Sequence, residues 1–201
     1  GALGGSPPTT SMSSSPKHTA PVPRLTLDEE IRLGQRGVVE RQRRQGRVGD
    51  AFIVVDSPRS PEEVWATLND VERWAHLMRG VKSARVRDRS DGAVRASFTV
   101  TKLRLPANVV LRPSSETATL AFELDKGAAN VAVDSLRGFW HVEPSPNGDH
   151  LTRVWLAASV AACAIVPNIA IDYVASKALR RATQWLGGGG AAAALDDRDA
   201  L

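Results

Sequence analysis

From Val154 to Ile171 the chain carries no charged residue, and directly after it comes DYVASKALRRATQWL, ending at Leu186. An apolar run of this length is long enough to raise a membrane-spanning helix. Pro167-Asn168 argues against one, because proline suits the first turn of a helix and disrupts its interior. Before the proline, Trp155, Val160 and the intervening alanines suit a buried strand. After it, Ile171, Val174, Ala175, Ala178, Ala182, Trp185 and Leu186 recur at helical spacing, while Lys177, Arg180, Arg181 and Gln184 fall elsewhere on the wheel. The stretch therefore reads as a last strand, an apolar corner and a long amphipathic helix closing at Gly187. Such a helix must bury its stripe, and the strands that precede it are the available partner.

The two ends read differently from the middle. Residues 1–25 are rich in Gly, Ser, Thr and Pro, with no acidic residue before Asp28, and residues 187–201 are a Gly/Ala tract with a short acidic tail. Neither holds enough apolar surface to offset the entropy of ordering. The opening resembles the remainder of an organelle transit peptide, chloroplast rather than mitochondrial; an ordinary polar tail is the alternative. Residues 47–186, about 140, suffice for one hydrophobic core. A net charge of +4 permits contact with an anionic membrane surface or nucleic acid without demanding either, and nothing points to sequence-specific nucleic-acid binding. The single cysteine, Cys163, excludes an internal disulfide and a multi-cysteine metal site.

Thr26 and Glu29 form a capping-box pattern that opens a helix. The following segment, ending in RQRRQGR, is polar on most sides, so residues 26–46 read as a basic, solvated helix leading into the domain. Ala51 to Val55 reads as a strand. Ser60, Pro61 and Glu63 supply an N-cap, a first-turn proline and a second capping box, and Asp70 can cap a further short helix stopped by Gly80. From Val81 the period changes to two. Strands are expected over 80–88, around Ala96, Phe98 and Val100, over 109–112, around Leu120 and Phe122, and over 131–142, with a bulge or bend near Thr101.

If Asn147-Gly148 is a two-residue hairpin turn, Trp140 stands opposite Trp155, Gly138 opposite Ala157 and His141 opposite Val154. Two indoles would then wall a space left open by small residues; otherwise Gly138 simply admits a neighbouring side chain into a packed core. The four histidines lie apart with no metal-ligand spacing, so no metal and no cofactor is expected. Cys163 and His141 do not form a nucleophile–base pair, since in this register Cys163 faces Ala132, several residue pairs away. Asp134 and Asp172 are the carboxylates nearest to apolar sequence, and Arg137 is a candidate for a polar head group.

The order of strand, two short helices, antiparallel strands and a long closing helix resembles the polyketide cyclase/START-like lipid-binding superfamily, and within it the coenzyme-Q-binding START-like branch. The residues that carry the likeness are Ser60-Pro-Glu-Glu-Val-Trp65, Leu68 and Asp70, Trp74, Leu77 to Val81, Leu136-x-Gly138-x-Trp140 and Pro167. The resemblance implies an α+β helix-grip fold, with a curved antiparallel sheet of six or seven strands around the last helix and an apolar cavity between them. Family members hold lipids, sterols, quinones or polyketides there. On this chain the lining would be Phe98, Phe122, Trp140, Trp155, Ile169 and Tyr173, with Arg137 and His141 as polar groups. The expected role is binding and carrying, or chaperoning, a hydrophobic small molecule (lipid, quinone, isoprenoid or pigment). A cyclase-like enzyme and an interaction subunit of a larger protein assembly are the alternatives. No catalytic residue is assigned, because the chain is short of pocket tyrosines, Tyr173 apart, and of any obvious acid/base pair.

Overall fold

The computed structural model describes residues 22–100, 105–166 and 177–187. Its centre is an open, all-antiparallel sheet of eight strands in the order β1-β2-β8-β7-β6-β5-β4-β3. The strands are β1 (Val38–Gln45), β2 (Val48–Ser57), β3 (Val81–Ser90), β4 (Ala93–Val100), β5 (Leu105–Ser114), β6 (Thr119–Leu124), β7 (Val133–Pro144) and β8 (Thr152–Ala162). Helix α1 (Leu27–Gly34) precedes the sheet. Between β2 and β3 lie α2 (Pro61–Asn69), a 3₁₀ turn (Val71–Arg73) and α3 (Trp74–Leu77). A closing helix, α4, occupies residues 177–183, continues as a 3₁₀ turn (Gln184–Leu186) and stops at Gly187 in the left-handed region.

Local chemistry explains most boundaries. Both capping boxes form: Thr26 with Glu29 opens α1, and Ser60 with Glu63 opens α2 behind Pro61. Asp91 (φ 52) and Gly92 (φ 70) make the tight β3–β4 turn, whose positive φ at both positions matches strand twist. Between β1 and β2 the two-residue turn Gly46-Arg47 has positive φ at its first position alone, where glycine stands (φ 60).

Alternation divides the sheet into two faces. The inner face carries Ile53, Val55, Leu111, Leu120, Trp140, Val142, Val154 and Leu156. With Val64, Leu68, Trp74 and Met78 from α2–α3 and Leu179, Ala182, Trp185 and Leu186 from the closing helix, these form the main core. The outer face bears a smaller cluster of Val39, Val54 and Trp155 under Leu33 of α1, with Phe52, Val22 and Leu25 packed around it. One ionic cluster fixes α1 there. Buried Arg153, 3% exposed, meets Asp56 at 2.9 Å and Glu30 at 2.8 Å. Burial alone would raise the Asp56 pKa, but hydrogen bonds from Arg153, Asn147 and Ser145 hold it below the ordinary value.

Three expectations need correction. Residues 26–46 are not one basic helix: the helix ends at Gly34, and 38–45 form the edge strand β1. Its polar residues alternate on both faces, which hides the strand period. The leader over 1–25 is not wholly free of structure, because Val22 and Leu25 pack on the outer face. The β7–β8 register is displaced by one residue, pairing Trp140 with Leu156, His141 with Trp155 and Gly138 with Ala158. The connection is a longer loop, closed by Ser145 N–H donating to the Leu151 carbonyl. A bulge between Val133 and Ser135 restores the count, and Cys163 meets Ala132 as expected, its N–H donating to that carbonyl at 3.1 Å. The bend near Thr101 and the corner opened by Pro167 lie outside the described residues. Among those described, no helix is long and apolar enough to cross a membrane.

Candidate functional site

The inner face is uneven along its strands. At the end nearest α2 and α3 it is closed: Trp140 is 2% exposed, Leu120, Val142, Val154 and Leu156 are buried, and Phe98 stacks on Trp74 with ring centroids 5.4 Å apart. At the other end the apolar residues continue but the cover thins. Ala51, Ala158, Gly138 and Phe122 stand side by side across β2, β8, β7 and β6, with the Leu136–Val160 pair beyond them, and all six are only half-buried. Gly138 accommodates Phe122, whose ring lies where a Cβ would be. The space that small residues leave at this point is therefore taken by a phenyl ring, and the open apolar surface begins next to it.

Of the expected lining, Phe98, Phe122 and Trp140 share the inner face, Phe98 and Trp140 as packed core and Phe122 at the margin of the half-open end. Trp155, Arg137 and His141 lie on the outer face: the one-residue displacement turns Trp155 away from Trp140, whereas Arg137 and His141 alternate with Gly138 and Trp140 along β7 and face outward in either register. Trp155, 3% exposed, donates its indole N–H to Glu143 at 2.7 Å. His141 is bonded to Thr119 at 3.1 Å and stands 3.6 Å from Glu143. His141 and Trp155 together hold the Glu143 carboxyl below its usual pKa. Asp134 accepts from the Cys163 thiol at 2.8 Å, which raises the thiol pKa. Asp172, Ile169 and Tyr173 lie outside the described residues. Leu136, Ala158 and Val160 are the inner-face residues that sequence reading missed; their period-two alternation with Arg137 and Ser159 was a visible signal. Among the described residues, no group of His, Cys, Asp and Glu could hold a metal ion.

The outer face carries a separate trough of about 830 Å³ running across six strands from β1 to β5. Phe52, Ala157, Phe139 and Ala121 cross it in one row, and Asp50, Ser159, Arg137 and Glu123 in the next.

A sheet gripping a C-terminal helix, with an apolar face open at one end, is the architecture of lipid-binding START-like proteins. The chain belongs to the polyketide cyclase/dehydrase and lipid transport family, whose model matches residues 57–186. Solved structures share its helix-grip fold at low identity. The Zhui aromatase/cyclase from Streptomyces sp. R1128 is 12% identical over 75% of this chain and 90% of that one, with a TM-score of 0.56. A START superfamily protein from Mycobacterium smegmatis is 14% identical over 69% and 94%, TM-score 0.56. A STAR-related lipid transfer protein from Xanthomonas axonopodis is 12% identical over 75% and 94%, TM-score 0.56. No curated protein matches the chain at a significant level.

Proposed function

We propose that the protein binds and carries an apolar small molecule (a lipid, quinone, isoprenoid or pigment) against the half-open end of the inner face. The observation that carries this reading is the change along β7 and β8 from closed core at Trp140 and Leu156 to half-exposed apolar surface at Leu136, Ala158 and Val160. Each 100 Å² of ligand surface removed from water there contributes about 2.5 kcal/mol. Membership in a lipid-transport family supports the reading. A cyclase needs a polar group aimed into the same space; of the four nominees, Arg137 and His141 stand on the opposite face, Asp134 is bonded to Cys163, and Tyr173 lies outside the described residues. The organellar location expected from the opening sequence belongs to this proposal and is tested by imaging a full-length fluorescent fusion.

Thermal unfolding of the full chain with ubiquinone, a polyprenol or phosphatidylcholine tests the binding. At least one should raise the midpoint, and Ala158→Phe should abolish the rise by filling the inner surface. No rise with any probe contradicts the proposal.

A further inference from the structure

The outer trough contains a slot whose shape and charge are independent of the inner face. Phe52 on β2 and Phe139 on β7 flank Ala157 on β8. Two strand spacings separate the phenyl-bearing backbones by about 10 Å, which leaves room for one layer of ligand between the rings above the alanine methyl. One end of the slot is closed: two residues back along β8, buried Trp155 packs against Phe52 at 6.1 Å beneath α1. Two residues forward, the slot opens onto the paired residues Ser159 and Arg137.

Charge selects the occupant. Four arginines line the trough: Arg41, Arg43, Arg112 and Arg137. Arg41 is paired with Glu29 and Arg112 with Glu123, the latter at 2.8 Å. Arg43 stands opposite Asp50 in the β1–β2 ladder. Arg137 is exposed and stands opposite Glu123 in the β6–β7 ladder, but Glu123 already pairs with Arg112, so four arginines face three carboxylates (Glu29, Asp50 and Glu123) and the trough carries a net charge of +1. A monoanion balances it; a phosphate monoester, with nearly two charges at neutral pH, over-balances it.

We propose that this slot is a second binding site, on the face opposite the carrier site, for an amphipathic carboxylate. Its apolar body lies over Ala157 between Phe52 and Phe139, and its head group takes a paired hydrogen bond from Arg137 beside the Ser159 hydroxyl.

Ala157 and Ala158 are chain neighbours on opposite faces, which makes the test selective. Dodecanoate is titrated calorimetrically into the full chain, with dodecanol as the neutral analogue. The expected result is dodecanoate binding that Arg137→Gln and Ala157→Phe each weaken about tenfold or more, that salt weakens, and that Ala158→Phe leaves unchanged. Circular dichroism and thermal unfolding confirm that each variant is folded. Dodecanoate binding lost only in Ala158→Phe overturns the proposal in favour of the inner face alone. Equal affinity for dodecanol overturns the role of Arg137, and absence of binding overturns the site. An Arg137-dependent affinity for an oligoglutamate peptide without dodecanoate binding overturns it in favour of an acidic protein partner. Failure of the inner carrier site would appear separately, as a loss of ubiquinone, polyprenol and phosphatidylcholine binding with dodecanoate binding retained.

Discussion

The ring of Phe122 lies across Gly138, its direct partner in the β6–β7 ladder, and occupies the volume that any larger residue at 138 would need. A Cβ at 138 would also collide with the backbone carbonyl oxygen of Ala157, which no side-chain adjustment can relieve. Gly138→Ala should therefore lower stability by about 1–3 kcal/mol. Combining it with Phe122→Ala should not restore the loss. Urea unfolding of the single and double variants checks this; full rescue would assign the constraint to the ring alone.

Arg153 is the hub that fixes α1 to the outer face. Arg153→Met leaves the Asp56 carboxylate buried without its cation, and the expected loss is about 3–5 kcal/mol. Chemical unfolding of Arg153→Met beside Arg153→Met/Asp56→Asn separates the stranded charge from the lost packing: the double variant should be the more stable.

The depressed carboxyls set the acid limit. Asp56 is held below its ordinary 3.8, and Glu29 falls from 4.5 to about 2 through its bond with Arg41. Between folded and unfolded pKa values the unfolded chain binds more protons, so this contribution is present above the ordinary values and is lost as pH falls through the folded ones. Thermal midpoints should fall steadily from about pH 4.5 to 2, and less steeply in Glu29→Gln.

The Ser60 cap bonds the Glu63 N–H at 3.2 Å, and Glu63 returns the bond to Ser60. Ser60→Ala should cost about 1 kcal/mol, whereas Ser60→Asp should retain most of the stability. Unfolding free energies of the two variants give the comparison.

Much of this architecture is legible in the chain. Both capping boxes, the Asp91-Gly92 turn and the alternation at Ala96, Phe98, Leu120 and Phe122 are local signals, and local structure follows them. The register of the last hairpin is not local. Asn147-Gly148 reads as a tight turn, but the Asn147 amide donates 2.7 Å to Asp56, far away in sequence, and the loop opens around that bond. One residue of displacement sends Trp140 and Trp155 to opposite faces. Arg137 and His141 are a different case: they alternate with Gly138 and Trp140 on the same strand, so strand period alone already placed them on the opposite face. Strand β1 escaped for another reason: as an edge with polar residues on both faces, it offers no apolar period to read.

Native mass spectrometry of the full chain after exposure to a lipid extract freed of fatty acids, which the outer slot would take up, tests the carrier reading most directly. One apolar molecule per chain is expected on the unsubstituted protein and on Ala157→Phe, and none on Ala158→Phe. A chain that emerges empty in every case, or that keeps its cargo in Ala158→Phe and loses it in Ala157→Phe, would contradict the placement of the site on the inner face.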